Sequence, residues 1–377
     1  MAFYHPRALD TRGGHHQFFL NDGTVFDHRT RHLVSSARFV ITYARACLML
    51  DHERYFPGLC HAVAFLRDQH RSPDNGGYAW LIDWHEGQVT VRDATNHCYG
   101  LAFVLLAYAF ASRAGVSSTE ALIDETHQLM ETHFWDEAAG LYADEADSHW
   151  QLTAYRGQNA NMHACEALLA AFDATGVDAF LQRASLIASN IASRQAALSG
   201  GQIWEHYTRD WQVDWEYNRG DRSNIFRPWG FQPGHQTEWA KLLLMLNDRK
   251  PQAWLIPRAV ELFDAALPAA WDDEHGGIIY GTAPDGTWYD DEKYHWVQAE
   301  SLSAALLLAE RTGEARFRDW YERIWRYCWQ HFVDHEYGAW FRILTRANRN
   351  TTDQKSIAGK VDYHNLSACF DAVCELA

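Results

Sequence analysis

Residues 75–82 read NGGYAWLI, a glycine pair followed by alternating aromatic and aliphatic residues. Five more segments resemble it: RGGHHQFFL at Gly14, AAGLYADE at Gly140, SGGQIWEHY at Gly201, HGGIIYGT at Gly277 and EYGAWFRIL at Gly338. From Gly14 through Gly77 to Gly338, consecutive glycines are 63, 63, 61, 76 and 61 residues apart. Each interval has room for two helices and a hairpin, and repeats of this length bury their apolar faces against neighbouring repeats. The pattern predicts a single domain over residues 1–377, in which six helical hairpins close into a ring.

Two sets of helical stretches alternate between the glycine segments. The first set is predicted at 31–50, 95–114, 159–176, 233–248, 293–312 and 361–376, and the second at 54–70, 117–134, 178–197, 252–271 and 314–332. Runs such as VLLAYAF make the first set apolar on nearly all sides, which is typical of helices surrounded by other helices, whereas the second set is amphipathic. We therefore predict an all-α (α/α)6 barrel, with the first set inside and short β-hairpins at one end. A sixth outer helix is missing, and MAFYHPRAL (residues 1–9) is the short remnant expected in its place.

Composition narrows the possible partners. The formal charge of −16 disfavours nucleic acid and anionic membrane surfaces, because both attract a basic face. The seven cysteines form no CxxC pair and are interpreted as reduced residues, and the first residues lack the features of a signal peptide. These observations predict a cytoplasmic protein that binds a neutral ligand. The sequence contains no HExxH motif, no Cys/His cluster and no GxGxxG after a strand, so neither a metal nor a cofactor is expected.

The inner helices carry polar residues near their starts, which should all face one mouth of the barrel. These residues are Arg38, Tyr99, Asn159, Asn161, His163, His235, Glu238, Trp296, Glu300 and His364. A lone histidine in an apolar helix is more often a hydrogen-bonded core residue, but several buried titratable rings near one end destabilise a fold unless a site uses them. Glu166 and Glu300 fit a structural role between helices as well as a site role. The 17 tryptophans suit a sugar-binding surface, although Trp80, Trp204 and Trp340 are expected to pack hairpins against helices.

The stretches RHLVSSARFV, YRGQNANMHACEALLAAFDATG, FRPWGFQPGHQTEWAKLLL, YHWVQAESL and VDYHN resemble the N-acylglucosamine 2-epimerase superfamily, and the match covers nearly the whole chain. Within it, QNANMHACEALLA and PGHQTEWAKLL are most similar to the branch of aldose–ketose isomerases that act on free mannose-type sugars. The resemblance implies an (α/α)6 barrel and a cofactor-independent isomerase with a monosaccharide substrate. It gives no indication of the oligomeric state.

The resemblance also implies roles for individual residues. His235 and His364 would be the catalytic pair that moves protons at C1 and C2 of the sugar, and His163 would assist ring opening. The remaining substrate-binding positions would be Arg38, Tyr99, Asn159 and Glu238 for the sugar hydroxyls and Trp296 for the apolar face of the ring. An arginine of the 219–227 stretch would also reach the site, and Arg219, Arg222 and Arg227 compete for that position.

These residue types support proton transfer through a cis-enediolate, because histidine accepts and donates protons near pH 7. Glu238, one turn from His235, is expected to orient its ring, and Arg38 to stabilise charge on the carbonyl oxygen. Three alternatives remain at this point: a sugar 2-epimerase, a glycoside hydrolase using two of Glu166, Glu238, Glu300 and Asp362, and a non-catalytic sugar-binding protein.

Overall fold

The computed structural model describes residues 1–117, 119–221, 224 and 226–376. Eleven α-helices lie in this part of the chain. They are α1 (Leu33–Met49), α2 (His52–Phe65), α3 (Cys98–Arg113), α4 (Glu120–His133), α5 (Gln158–Thr175), α6 (Asp178–Ser189), α7 (Pro233–Arg249), α8 (Leu255–Ala270), α9 (His295–Thr312), α10 (Ala315–Tyr327) and α11 (Tyr363–Leu376). Short π-helical segments continue α2, α6 and α10 at Leu66–His70, Asn190–Gln195 and Cys328–Phe332.

The odd-numbered helices form the inner layer of a closed ring. Helices α1, α3, α5, α7, α9 and α11 each pack against the next inner helix, and α11 packs against α1 to close the circle. Each even-numbered helix packs outside, against the inner helix that precedes it in the chain. The predicted (α/α)6 barrel is therefore confirmed.

Composition explains which helices lie inside. Nearly every residue of α3 from Cys98 to Ala111 is buried, as its continuous apolar sequence predicts. In the outer helix α10 the buried residues are Phe317, Ile324 and Tyr327, which leaves its charged positions to solvent. None of the described helices combines the length and the apolar character that a membrane-spanning segment requires.

Short antiparallel strands cover one end of the barrel. One three-stranded sheet contains, in order, Gln354–Ser356, Phe18–Leu20 and Val25–Asp27, and a second contains Thr30–His32, Leu81–His85 and Gln88–Asp93. The two-stranded sheets pair Asn96–His97 with Glu145–Ala146, Trp135–Asp136 with Leu141–Tyr142, Arg156–Gly157 with His206–Tyr207, Gly281–Thr282 with Trp288–Asp290, and Lys293–Tyr294 with Ile343–Leu344. Many of these pairs join neighbouring repeats rather than forming the local hairpins that were predicted. The strand before an inner helix pairs with a strand of the next glycine segment, and Phe19 pairs with Ser356 across the closure of the ring.

Side-chain amides attach three glycine segments to the inner helices that follow them. Asn161, Gln236 and Gln298 are each the fourth residue of their helix. Each amide oxygen accepts a backbone N–H, and each amide nitrogen donates to the carbonyl of the same residue, at Tyr142, Ile203 and Ile278 respectively. Because these donors and acceptors are buried, the pairs fix the first turn of each helix against its segment.

Residues 1–9 are predicted to be the remnant of an outer helix, but they are not helical. The segment forms consecutive turns rather than a helix, with the amide of Ala8 donating to the carbonyl of Tyr4. Its position matches the prediction, because Tyr4 packs edge-on against Phe39 of α1 and the amino terminus lies near Cys369 of α11. The turns thus fill the place between α11 and α1 that a twelfth helix would occupy.

The aromatic contact of this segment should carry much of the stability of ring closure. Tyr4 is 1% exposed and contacts Phe3, Phe19 and Phe39. We expect Tyr4→Ala to lower the free energy of unfolding in urea by about 3–5 kcal/mol, because it leaves a cavity among the three rings. The matched control Tyr337→Ala, at a side chain that is 45% exposed, should change it by less than about 0.5 kcal/mol. Equal effects of the two substitutions would contradict this role.

Candidate active site

A cavity opens at the strand-covered end of the barrel, where the first turns of the inner helices converge. All eight side chains that the sequence predicts for the site line this one cavity: Arg38, Tyr99, Asn159, His163, His235, Glu238, Trp296 and His364. They come from all six inner helices, as the positions near the helix starts require. Of the two other polar candidates, Asn161 points to the backbone of Tyr142 and holds the fold, and Glu300 lies behind the cavity wall.

His235 is held from behind by a carboxylate. Its Nδ1 lies 2.9 Å from both oxygens of Glu205, which is 2% exposed. The amide of Gln158 donates to the same carboxylate over 2.9 Å, and the indole N–H of Trp239 donates to Gln158 over 2.7 Å. Because a carboxylate only accepts hydrogen bonds, Nδ1 carries the proton, which leaves Nε2 as the nitrogen available to the cavity.

His364 has the same arrangement with one addition. Its Nδ1 donates to an oxygen of Glu300 over 2.6 Å, so its Nε2 is again the available nitrogen. The second oxygen of Glu300 accepts a hydrogen bond from the ammonium group of Lys241. Burial lowers the pKa of His364 well below its ordinary value, and the nearby charges of Arg38 and Lys241 act in the same direction.

His163 belongs to a third buried pair. Its Nδ1 donates to Glu166 over 3.0 Å, and the other oxygen of Glu166 accepts from the hydroxyl of Tyr363. Burial alone would raise the pKa of Glu166, but the hydrogen bond from His163 and the charge of Lys241 outweigh it and lower the pKa. Burial also lowers the pKa of His163. Glu166 and Glu300 thus both tie helices together and orient rings that face the cavity.

Glu238 does not orient His235, contrary to the sequence prediction, because Glu205 occupies that position. Glu238 is 1% exposed, and among the described residues neither of its carboxyl oxygens has a hydrogen-bond partner. Burial, reinforced by the charge of Glu300, raises its pKa well above the ordinary value. A buried carboxylic acid that is neutral and lines a cavity can donate a hydrogen bond to a ligand.

Trp296 lies next to both His235 and His364 at the cavity wall. Its ring centroid is 4.8 Å from that of His235 and 6.0 Å from that of His364. Gly234 makes this approach possible, since a Cβ atom there would lie 2.5 Å from the Trp296 ring. An aromatic face flanked by two imidazoles suits a small ligand with one apolar face and polar edges.

Arg38 is fixed at the cavity wall by aromatic rings and oxygen acceptors. Its guanidinium lies 4.5 Å from the centroid of Phe103 and 4.9 Å from that of Tyr363. It donates to the hydroxyl of Tyr99 over 3.3 Å and to the carbonyl of Gly359. These contacts hold a positive charge in one orientation at the cavity wall.

A second cavity adjoins the first and shares Tyr99, Asn159 and Phe226 with it. Arg227 lines the second cavity and pairs with Glu145, whereas the exposed Arg219 pairs with Glu216. Neither arginine lines the first cavity, and Arg222 lies outside the described residues. Arg227 is therefore the nearer of the two described candidates.

Two groups of buried side chains come close enough to share an ion: His163, Glu166 and Glu238, and Glu238, Glu300 and His364. In each group the candidate ligand atoms lie within 4.8 Å of one another. We assign no metal to either group, because hydrogen bonds already occupy both oxygens of Glu166 and of Glu300.

Sequence reasoning missed several residues of the site. Glu205 lies in a glycine segment, and its alternation with aromatic residues resembles an ordinary hairpin position. Lys241 lies among the leucines of α7, and the sequence pattern did not identify it as part of the site. Tyr280 and Arg342, which line the cavity from two other glycine segments, were also missed. A charged residue inside the most apolar helix layer was the available signal for Lys241, because burying it requires a partner.

Known proteins resemble this chain over nearly its full length. The profile of the N-acylglucosamine 2-epimerase (GlcNAc 2-epimerase) family matches residues 13–368. A D-mannose isomerase of Marinomonas mediterranea is 52% identical over 375 residues, which cover 99% of this chain and 94% of the relative. A crystal structure of a D-mannose isomerase superposes with a TM-score of 0.96 at 52% identity, covering 99% of this chain and 95% of that one. A cellobiose 2-epimerase of Bacillus thermoamylovorans shares the fold, with a TM-score of 0.87 at 18% identity and coverage of 99% and 95%.

The protonation of Asp144, which lines the second cavity, can be tested through the pH dependence of stability. Burial raises the pKa of Asp144 to about 8 from 3.8, so the folded protein holds a proton that the unfolded chain releases. Stability is therefore lost as the pH rises from 3.8 towards 8. We expect Asp144→Asn, which stays neutral and can still accept from Gly157, to raise the Tm by about 2 °C or more at pH 8 and by less at pH 5.

The exposed Asp147 provides the control. Hydrogen bonds from the backbone of Gln151 and His149 lower its pKa, so Asp147→Asn should give no gain in Tm at pH 8. A Tm of Asp144→Asn that lies below that of the wild type by the same amount at both pH values would show that Asp144 is ionised in the folded protein.

Proposed function

The chain belongs to the N-acylglucosamine 2-epimerase family, and from this membership and the geometry of the cavity we propose that it is an aldose–ketose isomerase that interconverts D-mannose and D-fructose. The observation that carries the proposal is the pair of histidines next to Trp296, each with Nδ1 bound to a buried carboxylate. The 52% identical relative named D-mannose isomerase gives the substrate.

The reaction needs a base at C2 of the open-chain sugar and a proton donor at C1. Abstraction of the C2 proton gives a cis-enediolate; transfer of the hydroxyl proton from O2 to O1 and return of a proton to C1 then give the ketose. A histidine with Nδ1 bound to a carboxylate keeps one tautomer and presents Nε2 for this transfer. We propose that His235 and His364 are the catalytic residues, held in orientation by Glu205 and Glu300 respectively.

The remaining side chains of the cavity bind the sugar in this proposal. Arg38 stabilises negative charge on the carbonyl oxygen during enediolate formation, because its guanidinium is already oriented before the reaction begins. Trp296 supports the apolar face of the sugar, and His163, backed by Glu166, assists ring opening. The neutral Glu238, Tyr99 and Asn159 offer hydrogen bonds to hydroxyl groups; the side-chain oxygen of Asn159 has no partner among the described residues.

A glycoside hydrolase is less well supported. That chemistry needs two carboxyl groups facing the scissile bond. Among the described residues Glu238 is the only carboxyl side chain that lines the first cavity. Glu166 and Glu300 are occupied by histidine, tyrosine and lysine donors, and Asp362 pairs with Lys360. A non-catalytic sugar-binding protein would have no need of two separately oriented imidazoles.

A 2-epimerase would begin with the same abstraction at C2 but return the proton to the opposite face of that carbon. Two histidines flanking one ring are compatible with either outcome. We prefer the isomerase over the 2-epimerase because the relative that matches nearly the full length at 52% identity is named a D-mannose isomerase. The cellobiose 2-epimerase shares the fold at only 18% identity. We therefore propose fructose, rather than glucose, as the product from mannose.

The direct test follows the conversion of D-mannose by chromatography of the products. We expect the wild type to form fructose and to keep its activity in EDTA, because the proposed steps use only imidazole, carboxyl and guanidinium groups. His235→Asn and His364→Asn should each lower kcat about 10²–10⁴-fold without loss of the fold. The control His149→Asn, at an exposed position, should retain wild-type activity. Glucose as the main product, or a histidine variant with more than about a tenth of the wild-type kcat, would refute the respective assignment.

A further inference from the structure

The two histidine–carboxylate pairs differ by one buried cation. Glu300, behind His364, accepts from Lys241, whereas Glu205, behind His235, accepts from the neutral amide of Gln158. Lys241 is 3% exposed and lies on α7, three residues after Glu238. It is absent from the cavity wall, so it acts on the cavity only through the groups that it contacts.

We propose that Lys241 is a positioning residue that fixes the carboxylate of Glu300 behind His364 and keeps His364 unprotonated as the base of the isomerisation. The geometry supports both parts. The ammonium group and the imidazole N–H occupy opposite oxygens of one carboxylate, which fixes the tautomer and orientation of His364. The same positive charge disfavours a second positive charge on the imidazole.

Lys241 also explains how three carboxyl groups share one buried region. Glu166, Glu238 and Glu300 lie close together on the barrel axis, and burial of several like charges would be strongly unfavourable without a cation. Burial alone would lower the pKa of Lys241, but the negative charge of neighbouring carboxylates, chiefly that of Glu300, outweighs it and raises the pKa. Lys241 thus stays charged, whereas burial and the charge of Glu300 raise the pKa of Glu238, which has no hydrogen-bond donor among the described residues.

The groups that face His364 come from every helix packed around it. They are Arg38 from α1, His163 and Glu166 from α5, Glu238 and Lys241 from α7, His295 and Glu300 from α9, and the neighbouring Tyr363 on α11. The two cations, Arg38 and Lys241, disfavour protonation of His364, whereas the carboxylates favour it. Removal of Lys241 therefore shifts the balance towards a protonated His364, which cannot act as a base.

The inference rests on the proposed isomerase function, and the test compares the pH dependence of D-mannose turnover in the wild type and in Lys241→Met. We expect kcat to fall about tenfold or more at pH 6 and much less at pH 9, with KM changed less than about twofold, because Lys241 does not touch the sugar. The acid limb of kcat/KM should move to higher pH. Lys241→Arg should restore most of kcat, since it keeps the charge.

Lys293→Met is the matched control, because Lys293 is also fully buried and pairs with Asp272 over 3.2 Å outside the cavity. It should lower the Tm yet leave kcat and its pH profile unchanged. Lys241→Gln serves as the second variant should Lys241→Met not fold. Wild-type kcat in Lys241→Met or Lys241→Gln, or a loss of activity in these variants that is the same at pH 6 and pH 9, would overturn the proposal and leave Lys241 a structural residue.

A measurement without substrate separates this inference from the proposed function. The ring nitrogens of His364, assigned by NMR from their loss in His364→Asn, should titrate at higher pH in Lys241→Met than in the wild type. An unchanged titration would overturn the role of Lys241 whatever the reaction. Failure of the wild type to convert D-mannose would contradict the proposed function alone.

Discussion

Three carboxyl groups and one ammonium group share the buried axis of this barrel, and the arrangement of the site depends on how they pair. Lys241 binds Glu300, Glu300 holds His364, and Glu166 holds His163 and Tyr363. Each interaction satisfies a buried polar group that would otherwise destabilise the fold. The same interactions choose the ring nitrogens that reach the cavity, so the requirements of folding and of chemistry are met by one set of hydrogen bonds.

The repeated architecture brings these groups together. Each inner helix begins at the strand-covered end, and the amides of Asn161, Gln236 and Gln298 fix three of these beginnings to their glycine segments. The first two turns of every inner helix therefore lie at the mouth, whichever repeat supplies them. The site combines one or two such residues from each of six helices, which explains why residues as distant in the chain as Arg38 and His364 line one cavity.

Much of the fold could be predicted from sequence because it is periodic. The glycine spacing and the apolar inner helices predicted the barrel, and position near a helix start predicted eight cavity residues. The incorrect predictions concern contacts that do not follow the sequence repeat. Glu205 reaches His235 from a glycine segment 30 residues away, so adjacency in the helix pointed wrongly to Glu238. Residues 1–9 form turns rather than an outer helix, and Tyr4 closes the ring by packing against Phe19 and Phe39.

In the proposed reaction one histidine takes the proton from C2 of the open-chain sugar and a second histidine supplies a proton to C1. The most direct test is NMR of the product formed from D-mannose in D₂O, where a histidine that exchanges with solvent introduces deuterium. Proton transfer by histidines that exchange with solvent should give fructose labelled at C1. Glucose labelled at C2, without C1-labelled fructose, would contradict isomerisation and establish 2-epimerisation. Fructose without any deuterium would contradict proton transfer by a histidine that exchanges with solvent.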